Sequence, residues 1–398
     1  MSRLSNEEIK KIKNKYNVDR LWSYSRINTF INSPFEYALK YVDGIKAKED
    51  RQDSIYVSTG TISHDIIEKF YMNEIEYTDM YDLFEDGWFT CYELSNLKFD
   101  RTNEEKNKSV AERYKSNMEY FFKNHTVYPY KMIIEMPITI NVNNNIFVGY
   151  IDGLFKNDNG DITIVDFKSS SAYKGNELEN HSQQLKLYAL GIHQLTGIPL
   201  SKIHGCFNFM KYVTIEYTQA NNVTKTRDVE RNNLGEALQS NLKVWIKRFG
   251  YEDRMDEFLK MVLDSNDIKG LPEEIRNKYK LYDCHVYVDI SEKAIQKLVD
   301  EVSATIKDIE YREQDYKEMH NEKIWWDSDE SVESNSYYFA NLCSFSPNLH
   351  KPYQSYLEKL EREKNGIDLF NNISSNNVIS DNKSINKNEP DLSWLSSI

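Results

Sequence analysis

The chain of 398 residues contains few cysteines and no long hydrophobic run. The four cysteines are scattered without C-x-x-C spacing: Cys91, Cys206, Cys284 and Cys343. This usage fits free thiols in a reducing cytosol. No apolar stretch approaches transmembrane length, so we expect no membrane association. The opening MSRLSNEEIKKIKNKY is charged and lacks the apolar segment of a signal peptide, so a cytoplasmic location is expected.

Positive charge is also in short supply. Lys and Arg number 50 against 63 Asp and Glu, which gives a net charge of −13. A protein that coats nucleic acid by neutralising phosphates carries a basic patch or stripe. Any contact with DNA must therefore be local, through bridging metals, Lys168 and small basic or aromatic clusters. The candidates, each of which has a solvated surface residue as its alternative, are Arg26, Lys174, Lys186 and the segment 123–131 with its tyrosines and His125.

Two further observations narrow the class of protein. The chain has no G-x-x-x-x-G-K-(S/T) phosphate-binding loop, so coupling to a helicase would need a separate protein. Asn, Lys, Ile and Tyr are abundant, which indicates an AT-rich genome such as that of a low-GC bacterium or its phage. We therefore expect the cytoplasm to be that of a bacterium or a phage-infected host cell.

One stretch, from 147 to 188, carries the most chemical information. It reads FVGYIDGLF, then the polar turn KNDNGD, then ITIVDFKSSS, then a helical QQLKLYALG. Asp152 and Asp166 are predicted at the ends of two apolar strands, with Lys168 two residues after the second. A hairpin that pairs Leu154 with Ile164 places the two aspartates opposite each other on one face of the sheet. Lys168 shares that face, because side chains alternate along a strand.

Two carboxylates and a lysine at one place predict a metal-dependent hydrolytic site. Such carboxylates bind hard divalent cations, and a nearby lysine can orient the water that attacks a phosphodiester. The alternative is that Asp152 and Asp166 end ordinary strands and that Lys168 is a solvated edge residue. The combination favours the metal site, because the hairpin length suits it and the following helix carries Gln184 and Tyr188 on one face.

These residues resemble the core of the PD-(D/E)XK nucleases, and specifically the RecB-like branch of bacterial recombination enzymes, CRISPR-adaptation exonucleases and phage exonucleases. The resemblance implies an α/β, restriction-endonuclease-like fold, a central mixed β-sheet flanked by helices with helical elaborations at both ends. It implies that Asp152 and Asp166 ligate Mg²⁺ or Mn²⁺ and that Lys168 positions the attacking water. Gln184 and Tyr188 would lie beside the site and contact the substrate phosphate or support the catalytic residues.

Upstream segments extend the resemblance. Residues 60–68, GTISHDIIE, resemble the family's G-x-x-x-H-x-x-x-E helix. This resemblance implies that His64 ligates the metal and that Glu68 orients His64. The main-chain carbonyl of Phe167 would complete the ligand set. Glu135, in MIIEMPITI, resembles a glutamate on the strand before the aspartate, and its alternative is a partly exposed strand residue. The opening LWSYSRINTFINSPFEYALKYV resembles the start of the family.

The resemblance departs at the cysteines that hold an iron–sulfur cluster in many RecB-like nucleases. Such clusters use four thiolates, one near the opening and three after the catalytic core. Here the first position is Ser33, and Cys343 stands alone in NLCSFSPNLH. We therefore expect no iron–sulfur cluster, and Cys343 with His350 is only a weak signal for another metal. Ordinary packing is expected to hold this part of the chain, by Trp325, Trp326, Phe339 and Phe345.

The chain is expected to divide into four parts. Residues 1–130 form an N-terminal helical part with the His64 helix, and 131–210 form the nuclease core. Residues 211–370 add strands and helices that complete the same domain, and 371–398 form a disordered tail. The elements expected beyond 130 are strands near 131–139, 145–155, 161–168, GCFNFMKYVTIEYTQ, KTRDVERN and HVYVDI, and helices at 234–249 and 292–310.

The C-terminal residues suggest a docking peptide. GIDLF, at 366–370, weakly resembles the short peptides that bind bacterial sliding clamps, through Ile367, Leu369 and Phe370. The chain ends in EPDLSWLSSI, whose apolar tip contains Trp394 and Leu395. A disordered tether with an apolar tip suits capture of a replication or recombination protein. The alternative is that GIDLF ends the last helix and that the tip packs on the domain.

The sequence therefore predicts a Mg²⁺- or Mn²⁺-dependent deoxyribonuclease, an exonuclease that hydrolyses DNA in replication, recombination or repair. Two alternatives stay open. One is a catalytically silent scaffold or DNA-binding subunit of a replication or recombination complex, although an intact set of His64, Asp152, Asp166 and Lys168 argues against it. The other is a structure-specific endonuclease on the same fold.

Overall fold

The computed structural model describes residues 4–46 and 54–376 of the chain. It has six strands, β1 to β6 in chain order: Ile133–Val142, Asn145–Lys156, Ile162–Lys168, Ile203–Thr218, Thr224–Glu230 and Tyr279–Val288. The helices before the sheet, α1 to α6, are Asn6–Tyr16, Tyr24–Asn32, Pro34–Tyr37, Ile55–Tyr71, Asp79–Trp88 and Glu104–Asn124. The helices α7 to α14 are Asn176–Thr196, Leu234–Arg248, Met255–Ser265, Glu273–Arg276, Glu292–Met319, Asp329–Ser334, Ser336–Asn341 and Lys351–Asn376.

The strands form one mixed sheet. Its order is β1-β2-β3-β4-β5, and β6 also pairs with β4. β3 and β4 run parallel, while the other pairs are antiparallel. The parallel pair requires a crossover, and α7 provides it. The predicted α/β fold with a central mixed sheet and flanking helices is therefore confirmed.

The elements expected from the sequence are also present, with different ends. The strands predicted near 131–139, 145–155 and 161–168 are β1, β2 and β3. The helix predicted at 292–310 continues to Met319 as α11. It begins at the N-cap Ser291, whose hydroxyl accepts from the Ala294 N–H, and ends at His320 in the left-handed conformation. No helix of the described ranges is long and apolar enough to cross a membrane.

Apolar clusters pack against the sheet. One joins α4, α5 and α6 to β1 and β3, and its members include Ile66, Phe84, Phe122, Ile134 and Phe167. The other joins α8 and α9 to the second half of β4, and its members include Val213, Ile215, Leu238, Trp245 and Phe258. Burial of large apolar side chains is the main source of stability for both.

The position predicted for Asp152 is wrong in one respect. β2 runs from Asn145 to Lys156, so Asp152 lies inside the strand rather than at its end. On one edge, β2 changes its pairing partner near Asp152. The backbone of Trp22 bonds to Ile146 and Val148, whereas pairing with β3 begins at Gly153. Asp152 therefore lies at the break between these two partners on one edge of β2.

The neighbouring strand β1 is irregular at the same level. The paired residues on either side are Ile134 with Gly153 and Met136 with Ile151, so Glu135 stands opposite Asp152. Glu135 has a φ of 49°, which is unusual for a residue other than glycine. The alternation of faces shifts there, since Ile134 packs with the α4–α6 cluster whereas Ile138 lies against Gly191 of α7. The simple alternation assumed from the sequence does not hold through this point.

On the other side of the sheet, β4 contains a large bulge. Asn208 pairs with His285 and Val213 with Asp283, so residues 209–212 stand opposite the single residue Cys284. The Arg231 guanidinium fixes this bulge, because its Nε donates to the Met210 carbonyl at 2.7 Å.

A buried ionic network surrounds the bulge. Arg231 lies 2.6 Å from one carboxylate oxygen of Asp283, and His125 Nδ1 lies 2.6 Å from the other. The Tyr71 hydroxyl contacts the second ring nitrogen of His125 at 2.7 Å. Burial raises the pKa of Asp283, but the charges and hydrogen bonds of His125 and Arg231 outweigh it, so the pKa is held well below its usual value. His125 is thus part of the core and is not available to DNA.

The described residues from Trp326 to Asn376 belong to a second compact unit. Phe339 and Phe345 are buried in it, and Trp325 is buried in the preceding unit. Cys343 is buried. His350 Nε2 lies 3.0 Å from Asp327, and His350 Nδ1 accepts from the Tyr353 N–H.

The predicted docking residues fall on two kinds of segment. The backbone of 366–370 is helical within α14, which continues to Asn376. Trp394 and Leu395 lie outside the described residues. Docking of a partner through Ile367, Leu369, Phe370 and the tip stays a prediction, as does the four-part division of the chain.

We predict that Arg231→Met destabilises the protein by about 3–5 kcal/mol, because it removes the guanidinium that lies 2.6 Å from the buried Asp283 carboxylate. Since the pKa of Asp283 is lowered in the folded state, this stabilisation is present above the carboxyl's ordinary pKa and is lost as the pH falls through the lowered value. Urea unfolding at neutral pH measures the loss. Arg254 makes a pair of the same 2.6 Å length with Glu257 on the surface, so Arg254→Met is the matched control and should leave the midpoint nearly unchanged. Equal effects of the two substitutions would contradict this account.

Candidate active site

Three elements bring the predicted site residues together. β2 carries Asp152, β3 carries Asp166 and Lys168, and α4 carries His64. The observed pairing of Leu154 with Ile164 is the register predicted from the sequence, and it places Asp152 level with Asp166. The residues predicted as a metal site therefore lie in contact with one another in the fold.

The contacts are short and mostly polar. Lys168 Nζ lies 2.7 Å from Asp166 Oδ1, and His64 Nδ1 lies 3.5 Å from Asp152 Oδ2. The charge of Asp166 acts on the carboxyl group of Asp152. The His64 ring lies near the main-chain carbonyl of Phe167. All four predicted ligands thus meet at one place.

The electrostatics of this place are unfavourable for two free carboxylates. Burial, followed by the negative charge of Asp166, raises the pKa of Asp152 well above its usual value, and Glu135 adds to the effect. Burial would lower the pKa of Lys168, but Asp166 and Asp152 raise it, so the lysine is held as a cation. Burial lowers the pKa of His64 and favours the neutral imidazole, which is the form that binds metals.

The donor set fits a divalent cation. Two carboxylates, a neutral imidazole and a main-chain carbonyl are ligands for Mg²⁺ or Mn²⁺. Asp166 Oδ1 is buried and accepts no hydrogen bond, although Lys168 is in ion-pair contact with it. A cation would also neutralise the repulsion between the two aspartates. In the described part of the chain, no three His, Cys, Asp or Glu side chains are arranged as a group that could hold a metal ion.

Helix α7 closes one side of the site. Gln184 Nε2 donates to the Tyr188 hydroxyl at 2.9 Å. Burial raises the pKa of Tyr188 to about 12, and the charges of Asp152 and Asp166 contribute. The hydroxyl therefore stays protonated and faces the carboxylates.

Gly149 makes room for Tyr188. A Cβ at position 149 would lie 2.7 Å from Tyr188 Cε1 and 3.1 Å from its hydroxyl oxygen. Contacts this close do not occur between real side chains, so the glycine is needed here for the close approach of β2 and α7.

The two supporting residues lie where the sequence placed them. Glu68 is one turn beyond His64 on α4, and its charge raises the pKa of the imidazole against the effect of burial. Glu135 stands opposite Asp152 and is half-buried, in the strained part of β1 described above. Its alternative as an ordinary strand residue does not account for a positive φ at that level.

Several basic residues suggested as DNA contacts are enclosed by the protein. Lys186 is buried and lies 2.9 Å from Glu179. The Arg26 guanidinium lies over the rings of Trp22, Tyr37 and Tyr41 and donates to the Tyr37 hydroxyl. These residues hold the fold together, whereas Lys174 remains exposed.

The sequence did not single out three aromatic residues beside the site. Tyr24, Tyr173 and His181 each interact electrostatically with Lys168. The Tyr24 hydroxyl donates to the Asn180 carbonyl at 3.1 Å, and burial raises its pKa to about 12. For His181 the sequence does contain a usable signal. It precedes Gln184 by three residues and so lies on the same side of α7.

Comparison with known proteins identifies one family. The model of the PD-(D/E)XK nuclease superfamily matches residues 21–258, which is more than half of the chain. A solved structure described as the crystal structure of SSO0001 matches 50% of this chain and 75% of its own, at 14% sequence identity and a TM-score of 0.16. No curated protein matches the chain significantly.

We predict that Asp152→Asn raises the melting temperature of the protein in EDTA, because an amide opposite Asp166 removes the repulsion between carboxylates and can donate a hydrogen bond. The same substitution should reduce the rise in melting temperature that Mn²⁺ causes, because it removes a charged ligand. Thermal unfolding in EDTA and in Mn²⁺ measures both effects. A lower melting temperature in EDTA would show that the pair is not a source of repulsion.

We predict that Gly149→Ala costs about 1–3 kcal/mol of stability through overpacking against Tyr188. In a Tyr188→Ala background the same change should cost almost nothing, because the clashing ring is gone. Urea unfolding of the four proteins forms a double-mutant cycle. An equal cost in both backgrounds would place the strain elsewhere.

Proposed function

Because the chain belongs to the PD-(D/E)XK nuclease superfamily, we propose that it is a Mg²⁺- or Mn²⁺-dependent DNA exonuclease of RecB-like type. The observation that carries the proposal is the meeting of His64, Asp152, Asp166 and Lys168 at the break in β2. Two buried carboxylates with a cationic lysine are costly to keep unless they bind a cation and substrate.

The metal site would use His64, Asp152, Asp166 and the Phe167 carbonyl. A cation bound there would supply Lewis-acid stabilisation of the charge that develops on the phosphate.

Lys168 is suited to hold the attacking water. Its ammonium is kept charged by the neighbouring aspartates, and it shares one side of the sheet with Asp166. A cationic donor can fix the orientation of a water and stabilise the hydroxide that attacks phosphorus. Tyr188 and Gln184, hydrogen-bonded to each other, can donate to a non-bridging phosphate oxygen from the opposite side.

The exonuclease and RecB-like parts of the proposal come from the resemblance of residues 60–68 and 147–188 to that branch. Work on DNA ends in replication, recombination or repair, in the cytoplasm of a bacterial or phage-infected cell, follows from the same resemblance. An endonuclease and a silent scaffold are the outcomes against which the proposal is tested.

The test uses end-labelled linear DNA and closed circular DNA, single- and double-stranded, in Mn²⁺, Mg²⁺ or EDTA. We expect metal-dependent loss of linear DNA that spares circles. Lys168→Ala should reduce the rate of cleavage by about 100-fold or more, which is the rate contribution typical of a positioned proton-transfer group. Lys280→Ala removes an exposed lysine of β6 paired with Glu216 and is the matched control.

The outcomes separate the three candidates. Cutting of circles, abolished by Lys168→Ala, would indicate an endonuclease. Equal inactivity of the unaltered protein and Lys168→Ala on every substrate would leave the scaffold. Activity that persists fully in Lys168→Ala would overturn the assignment of the site.

A further inference from the structure

Two aromatic rings are stacked beside the candidate active site, and the proposed reaction does not use them. The ring of Tyr173 and the imidazole of His181 have centroids 4.0 Å apart and are 11° from parallel. Tyr173 lies between β3 and α7, and His181 lies in the first part of α7. Parallel rings at this distance form a stack of two layers.

Tyr173 is fixed relative to the catalytic residues. Its ring packs edge-on against Phe207 at 5.5 Å and Phe209 at 5.1 Å. These two phenylalanines of β4 pair in register with Asp166 and Lys168 of β3. Ser170 Oγ also donates to the Tyr173 hydroxyl at 3.1 Å. The stack therefore has a defined position beside the carboxylate and the lysine.

His181 forms the outer layer of the stack. It is exposed, so the face of its ring opposite Tyr173 is available to a further planar group. The bond from Tyr24 to the neighbouring Asn180 carbonyl holds this turn of α7 in place. Gln184 lies one turn further on, so the stack and the proposed phosphate contacts follow the same side of the helix.

The charge of His181 suits stacking better than ion pairing. Partial loss of surrounding water lowers the pKa of His181, and the positive charge of Lys168 lowers it further, against the opposing effects of Glu177 and Asp166. A neutral imidazole offers a ring face without the charge that would bind a phosphate.

We propose that Tyr173 and His181 form a stacking platform for an unpaired nucleobase next to the phosphate that is cleaved. The inference rests on the proposed nuclease function and deepens it, because it names the substrate as a strand with an unpaired base at this position. The base extends the stack on the exposed face of His181. Stacking of this kind accepts all four bases, since each has a π-face.

The test is a binding measurement in Ca²⁺ and without hydrolysis, using fluorescence anisotropy. The probes are single-stranded oligonucleotides, either complete or with one abasic residue placed in turn at each of the terminal positions. With the unaltered protein, we expect one position at which loss of the base weakens binding by about tenfold. Other positions should show smaller losses.

Variants of His181 complete the test, because each is measured with the complete and the abasic strands. His181→Ala should weaken binding of the complete strand by about tenfold and should remove the penalty at that one position. His181→Phe keeps an aromatic ring and should restore both the binding of the complete strand and the penalty at that position. His181→Gln keeps a polar side chain and should restore neither. His204→Ala removes another exposed histidine, on β4, and should change neither quantity.

The outcomes for the platform and the nuclease are independent. An abasic penalty that is the same in His181→Ala as in the unaltered protein, or that occurs at no position, overturns the platform. Cleavage of DNA in Mn²⁺ without a position-specific penalty keeps the nuclease and removes the platform. A penalty that depends on His181 in a protein that cleaves nothing keeps the platform as a binding site and removes the nuclease.

Discussion

The structure depends on holding two carboxylates together in a partly enclosed site. Asp152 and Asp166 repel each other, and burial raises the pKa of Asp152 further. The fold offsets this cost with one cation, Lys168, 2.7 Å from Asp166. The break in β2 and the positive φ of Glu135 both occur at this level, so the backbone carries strain at the same place. Such a concentration of unfavourable terms is typical of a site that a ligand completes.

The buried network behind β3 supplies the rigidity that this site needs. The ring of Phe167 lies 6.5 Å from that of His125, so the strand that presents Asp166 and Lys168 rests directly on the network. Arg231, held by Asp283, also fixes the bulge of β4 that follows Phe207 and contains Phe209. The buried network thus helps to set the positions of Asp166 and Lys168. A buried ion pair contributes little net stability, but here it sets geometry.

Local patterns predicted the parts of the site that lie within one hairpin and one helix. The register of β2 and β3 followed from turn length and face alternation, and the mixed sheet followed from the resemblance. We predicted Asp152 at a strand end because nothing in the sequence shows that Trp22 pairs with β2. Trp22 bridges to Phe147, which lies 125 residues later in the chain. The roles of His125, Asp283 and Arg231 were missed for the same reason, since such contacts join residues more than 50 positions apart.

The net charge of −13 constrains how this protein can hold DNA. Overall repulsion disfavours long-range attraction, and the basic residues Lys186 and Arg26 are used inside the fold. Affinity must then come from contacts that act at short range, namely bridging cations, Lys168 and aromatic stacking. Stacking does not depend on phosphate neutralisation, so it is less sensitive to salt than a basic groove. An acidic nuclease with a neutral aromatic surface beside its carboxylates would therefore select strands whose terminal bases are already unpaired.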